Sequence, residues 1–101
     1  PVDENIADAL IAKYPFYTKT VIPAGTYAGF DEAVPGVSVM AMLVAGPSVD
    51  AALGYDITKA IFTHLDRLQA AHAVGKQITK DAAKSGMSLP MNAGSEKYFA
   101  E

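Results

Sequence analysis

Val37-Ser38-Val39-Met40-Ala41-Met42-Leu43-Val44-Ala45 is the stretch whose reading decides the fold class. Successive side chains of a strand point to opposite faces. Val37, Val39, Ala41 and Leu43 would share one face, with Met40, Met42 and Val44 beside Ser38 on the other. A strand with one wet face alternates apolar and polar residues, whereas this one is apolar on both. That pattern belongs to a strand covered on both sides, as in an α/β sheet. Val34-Pro35-Gly36 reads as the turn before it, and Gly46-Pro47 closes it.

Upstream, Tyr14-Pro15-Phe16-Tyr17-Thr18-Lys19-Thr20-Val21-Ile22-Pro23-Ala24-Gly25-Thr26-Tyr27-Ala28-Gly29 sets a short β-branched run between proline and glycine breakers. Thr18 to Ile22 is the second strand candidate. Pro23 to Gly29 is an irregular loop carrying Thr26 and Tyr27. Its aromatics either fill a core or shape a binding surface. Residues 3 to 14 read as a first helix, with Asp3 as cap and Glu4 in the first turn. Ile6, Leu10, Ile11 and Tyr14 fall on one face at helical spacing, and Pro15 stops the helix.

Downstream, Ser48 can cap a long helix running to about Leu68 or Ala71, with Asp50 in its first turn. At 100° per residue, Val49, Leu53, Ile57, Ala60, Ile61, His64, Leu65 and Leu68 occupy one broad arc. Tyr55 and Phe62 form a second apolar ridge. Asp56, Lys59, Thr63 and Asp66 make a narrow polar stripe. A helix this apolar is normally covered on more than one side, more than the remaining residues are expected to supply. Thr79 to Lys84 reads as a short helix capped by Thr79 and stopped by Gly86. Gly94 to Glu101 forms a final helical turn or two.

The bulk properties set limits. The chain has 101 residues, 50% hydrophobic and 19% charged, with a net charge of -3. It is too apolar for disorder, and its apolar runs are too interrupted for a membrane span. No Lys/Arg cluster exists to neutralise a nucleic-acid backbone. The absence of cysteine excludes disulfides, a thiolate nucleophile and thiolate metal sites. No basic region or apolar stretch of a signal peptide opens the sequence.

Catalytic patterns are missing. His64 and His72, eight residues apart, would sit about 12 Å apart along one helix, too far to share a metal ion. His64 falls near the centre of the apolar arc and reads as a core histidine. His72 near a helix C-terminus suits the dipole. The serines lack a nucleophile-elbow context, and no Gly-Lys-Ser/Thr follows the glycine loop. The residues give almost no positive support for an enzyme, and no metal or cofactor is expected.

Several segments, in order, resemble the C-terminal part of the TAXI family of TRAP-transporter solute-binding proteins. These are Tyr14-Pro15-Phe16-Tyr17, then Ile22-Pro23-Ala24-Gly25-Thr26-Tyr27, then the acidic turn Asp31-Glu32 and a strand similar to "VGVPALLV" at Val37 to Val44. Tyr55 to Phe62 and Ala70-Ala71-His72 follow. Leu89-Pro90 and Gly94-Ser95-Glu96-Lys97-Tyr98-Phe99 are similar to the closing "PLHPGAERYY". The chain departs from the family at Ala28, Phe30, Ala73 and Asn92-Ala93.

The resemblance implies an extracytoplasmic, periplasmic receptor that binds a small organic anion such as glutamate or a related carboxylate and delivers it to a TRAP permease. It implies the C-terminal portion of a two-lobed, type II-like periplasmic-binding-protein fold. The α/β fragment would be helix-rich with few strands, and residues 1–101 would form a single unit. Tyr27 is the first candidate for facing the ligand and Thr26 the second, since their hydroxyls can hydrogen-bond a carboxylate. The alternatives are a small self-associating interaction module, a homodimer through the apolar helix, and the non-catalytic end of an enzyme whose active-site domain is unrelated.

Overall fold

The computed structural model describes residues 1–101. Its order is α1 (Glu4–Lys13), β1 (Tyr17–Ile22), β2 (Val34–Val39), α2 (Ala51–Thr63), α3 (Leu65–Ala71), a 3-10 helix (Ala73–Gln77) and α4 (Ala93–Ala100). The content is α/β, as expected. The chain falls into two compact units, Pro1–Met42 with Gly86–Ser88 and Leu43–Ser85 with Leu89–Glu101.

In the first unit β1 and β2 pair antiparallel, from Tyr17 opposite Val39 to Ile22 opposite Val34. The expected turn at Val34-Pro35-Gly36 is therefore the start of a strand, and the expected strand ends at Val39 instead of Ala45. Pairing decided the boundary: β1 is six residues long and supplies no partner beyond Tyr17. Proline is tolerated at Pro35 because of the edge it faces. The Val2 N–H donates to the Pro35 carbonyl at 2.9 Å, from outside the β1–β2 ladder. A strand residue's N–H and C=O share an edge, so the missing proline N–H also falls outside the ladder.

Helix α1 ends before Pro15 as expected. Asp3 occupies its N-cap position without making a side-chain cap bond. Ile6 is exposed, and Ala7, 3% exposed, is the residue that packs. The Lys19 ammonium ties β1 to α1 through Glu4 at 3.1 Å and Asp8 at 2.7 Å.

In the second unit Asp50, not Ser48, caps α2, accepting from the Leu53 N–H at 2.9 Å. The long helix is broken at His64, whose φ of -116 and ψ of 33 leave the helical basin. Its N–H is shared between the Ala60 and Ile61 carbonyls. Phe62, Thr63 and His64 are all modest helix formers, so the break falls where propensity is low. His64 is exposed, which corrects its expected place in a core.

Helix α4 packs on the Tyr55/Phe62 ridge, not on the broad arc. Tyr98 meets Tyr55 and Phe62 at ring-centroid distances of 5.9 Å each, and Phe99 meets Phe62 at 5.3 Å. Two glycines permit the approach. A Cβ on Gly94 would overlap the backbone of Ala51 and Tyr55, and one on Gly54 would overlap the Asn92 side chain. Asn92 caps α4 through Gly94 N–H and donates to the Val49 carbonyl at 3.2 Å. Thr58, 8% exposed, donates to the Gly54 carbonyl at 2.8 Å, leaving its oxygen to accept from Ser95 at 2.7 Å. The expected helix at Thr79 to Lys84 is a series of turns. Thr79 does accept from Ala82 N–H, and Gly86 adopts φ of 68.

Burial is sparse. The accessible surface is 7566 Å². Two separate globules of half the mass would expose only about 6,600 Å² together. Many large apolar side chains lie exposed, Leu43 at 79%.

Candidate functional site

The loop joining β1 to β2 borders two open concavities in the first unit. Gly25 and Gly29 hold φ values of 76 and 84, a region side chains other than glycine rarely adopt. They allow the chain to fold back on itself. Gly25 N–H reaches the Phe30 carbonyl at 2.8 Å, and Phe30 N–H reaches the Tyr27 carbonyl at 3.1 Å. The Thr26 hydroxyl donates to the Pro23 carbonyl at 2.7 Å, bracing the same turn. The result pushes Tyr27 and Phe30 outward, 62% and 60% exposed.

Two open concavities flank this loop. One of about 450 Å³ is lined by Pro1 and the run from Gly29 to Pro35. The other, about 180 Å³, is more apolar, with Ile22, Pro23, Tyr27, Phe30, Glu32 and Val34 around it. The first volume lies in the range of small-molecule sites.

The structure brings both candidate residues into one loop but gives them different duties. The Tyr27 side chain bounds the smaller concavity, and its hydroxyl has no intramolecular partner. The Thr26 proton is committed to Pro23, so toward a ligand its oxygen acts as an acceptor. The sequence reading did not single out Phe30, Asp31, Glu32 or Val34 as lining residues. The signal available was an aromatic directly before an acidic pair in a glycine-bounded loop.

The electrostatics are acidic. No Lys or Arg lines either concavity, while Asp31 and Glu32 do. The first unit carries Asp3, Glu4, Asp8, Asp31 and Glu32 against Lys13 and Lys19. Lys19 is engaged by Asp8 and Glu4, whose hydrogen bonds raise its pKa above the ordinary lysine value. Lys13 lies over the Tyr14 ring.

Nothing resembling a catalytic constellation assembles elsewhere. No three His, Asp or Glu side chains converge as a metal site. The His72 Nδ1 accepts from Val74 N–H at 3.1 Å, capping the 3-10 helix. In the second unit the Tyr55 hydroxyl donates to Glu101 at 2.7 Å, and this bond foremost raises the tyrosine pKa above its ordinary value. Lys80 stands 4.4 Å from the Tyr98 ring centroid. These are structural contacts on the aromatic cluster.

Compared with known proteins, the chain matches the family model described as the NMT1-like family over residues 1–101, its whole length.

Proposed function

The chain belongs to the NMT1-like family, which is periplasmic-binding-protein-like and associated in general with extracytoplasmic solute binding, and from that premise we propose a TAXI-type role. The chain is the C-terminal segment, residues 1–101, of a TRAP-transporter solute receptor. It works in the periplasm, binds a small organic anion such as glutamate or a related carboxylate, and hands it to the membrane permease. The observation that carries the solute-receptor part of this reading is the family match along the full chain. It is supported by the ordered Tyr14-Pro15-Phe16-Tyr17, Ile22 to Tyr27 and Gly94 to Phe99 segments. No helix is long and apolar enough to cross a membrane.

Within this reading the receptor does no covalent chemistry. Tyr27 is proposed as a ligand contact through its unengaged hydroxyl, and Thr26 as the residue that fixes the loop behind it while offering an acceptor oxygen. The acidic lining means that the ligand's carboxylates need a cation from outside these two concavities. Arg67, the single arginine, is exposed on α3 in the other unit.

Calorimetry tests the proposal. The full-length receptor should bind glutamate or a related acid with micromolar affinity. The 101-residue chain alone should bind no tighter than about 0.1 mM, a loss of several kcal/mol. Micromolar binding by the isolated chain would refute the claim that it holds only part of the site. Lack of binding by the full-length protein to any organic acid would refute the receptor role.

A second reading, a self-associating module, is favoured by one observation. The α2 arc opposite α4 leaves Leu53 and Ile57 exposed, and exposed apolar patches favour association. Sedimentation at micromolar concentration separates the two. A homodimer of the isolated chain that persists in the full-length protein would favour the module. A homodimer lost in the full-length protein would favour the receptor segment.

A further inference from the structure

The outer edge of β2 is open. The N–H and C=O of one strand residue share an edge, and the edges alternate along the strand. Pro35 faces away from β1, so Val37 and Val39 do too. The Val2 N–H reaches the Pro35 carbonyl, but no backbone group bonds to Val37 or Val39 from that side. From Met40 to Ala45 no backbone N–H or C=O has a backbone partner. An edge built to stay exposed is ordinarily guarded by charge. Val34 to Pro47 contains no charged residue, and Pro35 guards only its own end. The alternation there is apolar on both faces, which suits a strand covered on both sides. Yet Val39 and Leu43 from one set and Met40 and Val44 from the other are all exposed. The accessible surface of 7566 Å² exceeds that of two compact globules by roughly 1,000 Å², the scale of one partner's share of a specific interface.

We propose, resting on the receptor reading above, that this edge takes an added β-strand along Val37 and Val39, supplied by a part of the receptor outside residues 1–101. Backbone chemistry defines the partner. Only an extended chain presents donors and acceptors in alternation at strand spacing. The edge offers no charge to pair with, so a charged side chain brought against it would be desolvated without compensation. The partner strand is therefore apolar and uncharged. A third strand also relieves the marginal stability of a two-stranded sheet in water.

Hydrogen exchange on the full-length receptor tests this. The Val37 and Val39 amides should exchange at least about a thousandfold more slowly than unstructured amides, as the paired Thr18 and Thr20 amides do. Val39→Pro removes an N–H that β1 does not use. It should speed exchange at Val37 by at least about tenfold, the value of one hydrogen bond, and spare Thr18 and Thr20. Free exchange at Val37 and Val39 in a receptor that binds an organic acid overturns the inference and leaves the receptor reading intact. Unchanged Val37 protection in the proline variant overturns it as well. Protection that appears only at concentrations where the full-length protein dimerises assigns the edge to a second copy, which also overturns it. Protection in a monomeric protein that binds no organic acid supports the added strand and removes the receptor reading.

Discussion

The hairpin unit and the helix-pair unit are held together by different physics. In the first, backbone pairing of β1 with β2, one bond from Val2 and the Lys19 ion pairs fix a small sheet whose loop stays open. In the second, the α4 backbone at Gly94 meets the α2 backbone at Ala51 and Tyr55, the Asn92 side chain lies against Gly54, and an aromatic cluster adds ring contacts. A sheet of two strands tolerates side-chain change on its open faces. A glycine contact tolerates almost none, since nothing there can give way. The loop proposed for ligand contact belongs to the first unit, and sequence sensitivity is expected to concentrate at the glycine contact of the second.

The sharpest way to break this contrast is Gly94→Ala. The new Cβ would strike main-chain atoms of Ala51 and Tyr55, so α2 and α4 must separate. A loss of about 3 kcal/mol is expected, the upper end for overpacking. The matching change in the sheet, Gly36→Ala, meets only the Thr20 methyl at 3.7 Å, an ordinary contact. It should move stability by no more than about 0.5 kcal/mol. Thermal melts of both variants suffice; similar shifts would erase the distinction between the units.

Next in size is Thr58→Val. It removes the donor to the Gly54 carbonyl and the partner of Ser95 beneath the helix contact. About 1–2 kcal/mol should be lost in the same melts, since a partly buried hydroxyl is left unpaired. A neutral result would mean that Ser95 finds another partner.

Alkaline titration sharpens the comparison through the two raised pKa values. Bonding to Glu101 holds the Tyr55 pKa above 10.0, its ordinary value. A group whose folded pKa is raised stabilises the fold below its unfolded value, and the contribution disappears as pH rises through the folded one. The helix pair should therefore weaken above about pH 10, and Tyr55→Phe should remove that component. Lys19 behaves with the same sign at still higher pH, its pKa raised above 10.5 by Asp8 and Glu4. Because these charges are exposed, Lys19→Met should cost little, and the cost should vanish in about 1 M salt, where screening acts within about 3 Å. A Lys19 effect that survives high salt would mean that packing, not charge, joins α1 to β1.

The smallest expected effect is at His64. It lies exposed at the break between α2 and α3, so His64→Ala should shift stability by less than about 0.5 kcal/mol. A loss of 1–3 kcal/mol would instead restore the core position that helical periodicity assigns to it.

The contrast also marks what sequence reading can reach. Pro15 stops α1, Thr18 to Ile22 falls in a strand, and α4 begins at Ala93, one residue before the expected start at Gly94. All are local rules of proline, β-branched residues and glycine. The Tyr27 loop was legible for the same reason, since prolines and glycines fix its limits. The acidic lining was not, because which side chains surround a concavity depends on how the loop folds back from Gly25 to Phe30.

By itself the sequence determined the mixed α/β content, the stop of α1 before Pro15, and the loop that carries Tyr27 and Thr26. Tertiary structure alone decided which apolar stripe of α2 is used. Periodicity makes the Leu53-Ile57-Ala60 arc the wider one, yet α4 settles on Tyr55 and Phe62. Gly54 on α2 and Gly94 on α4 leave room for the close approach, which a count of apolar residues cannot register. Tertiary structure also ended β2 at Val39, since a strand extends only as far as its partner. Apolar pattern states what a segment would bury; only the arriving neighbour settles whether, and on which side, it does.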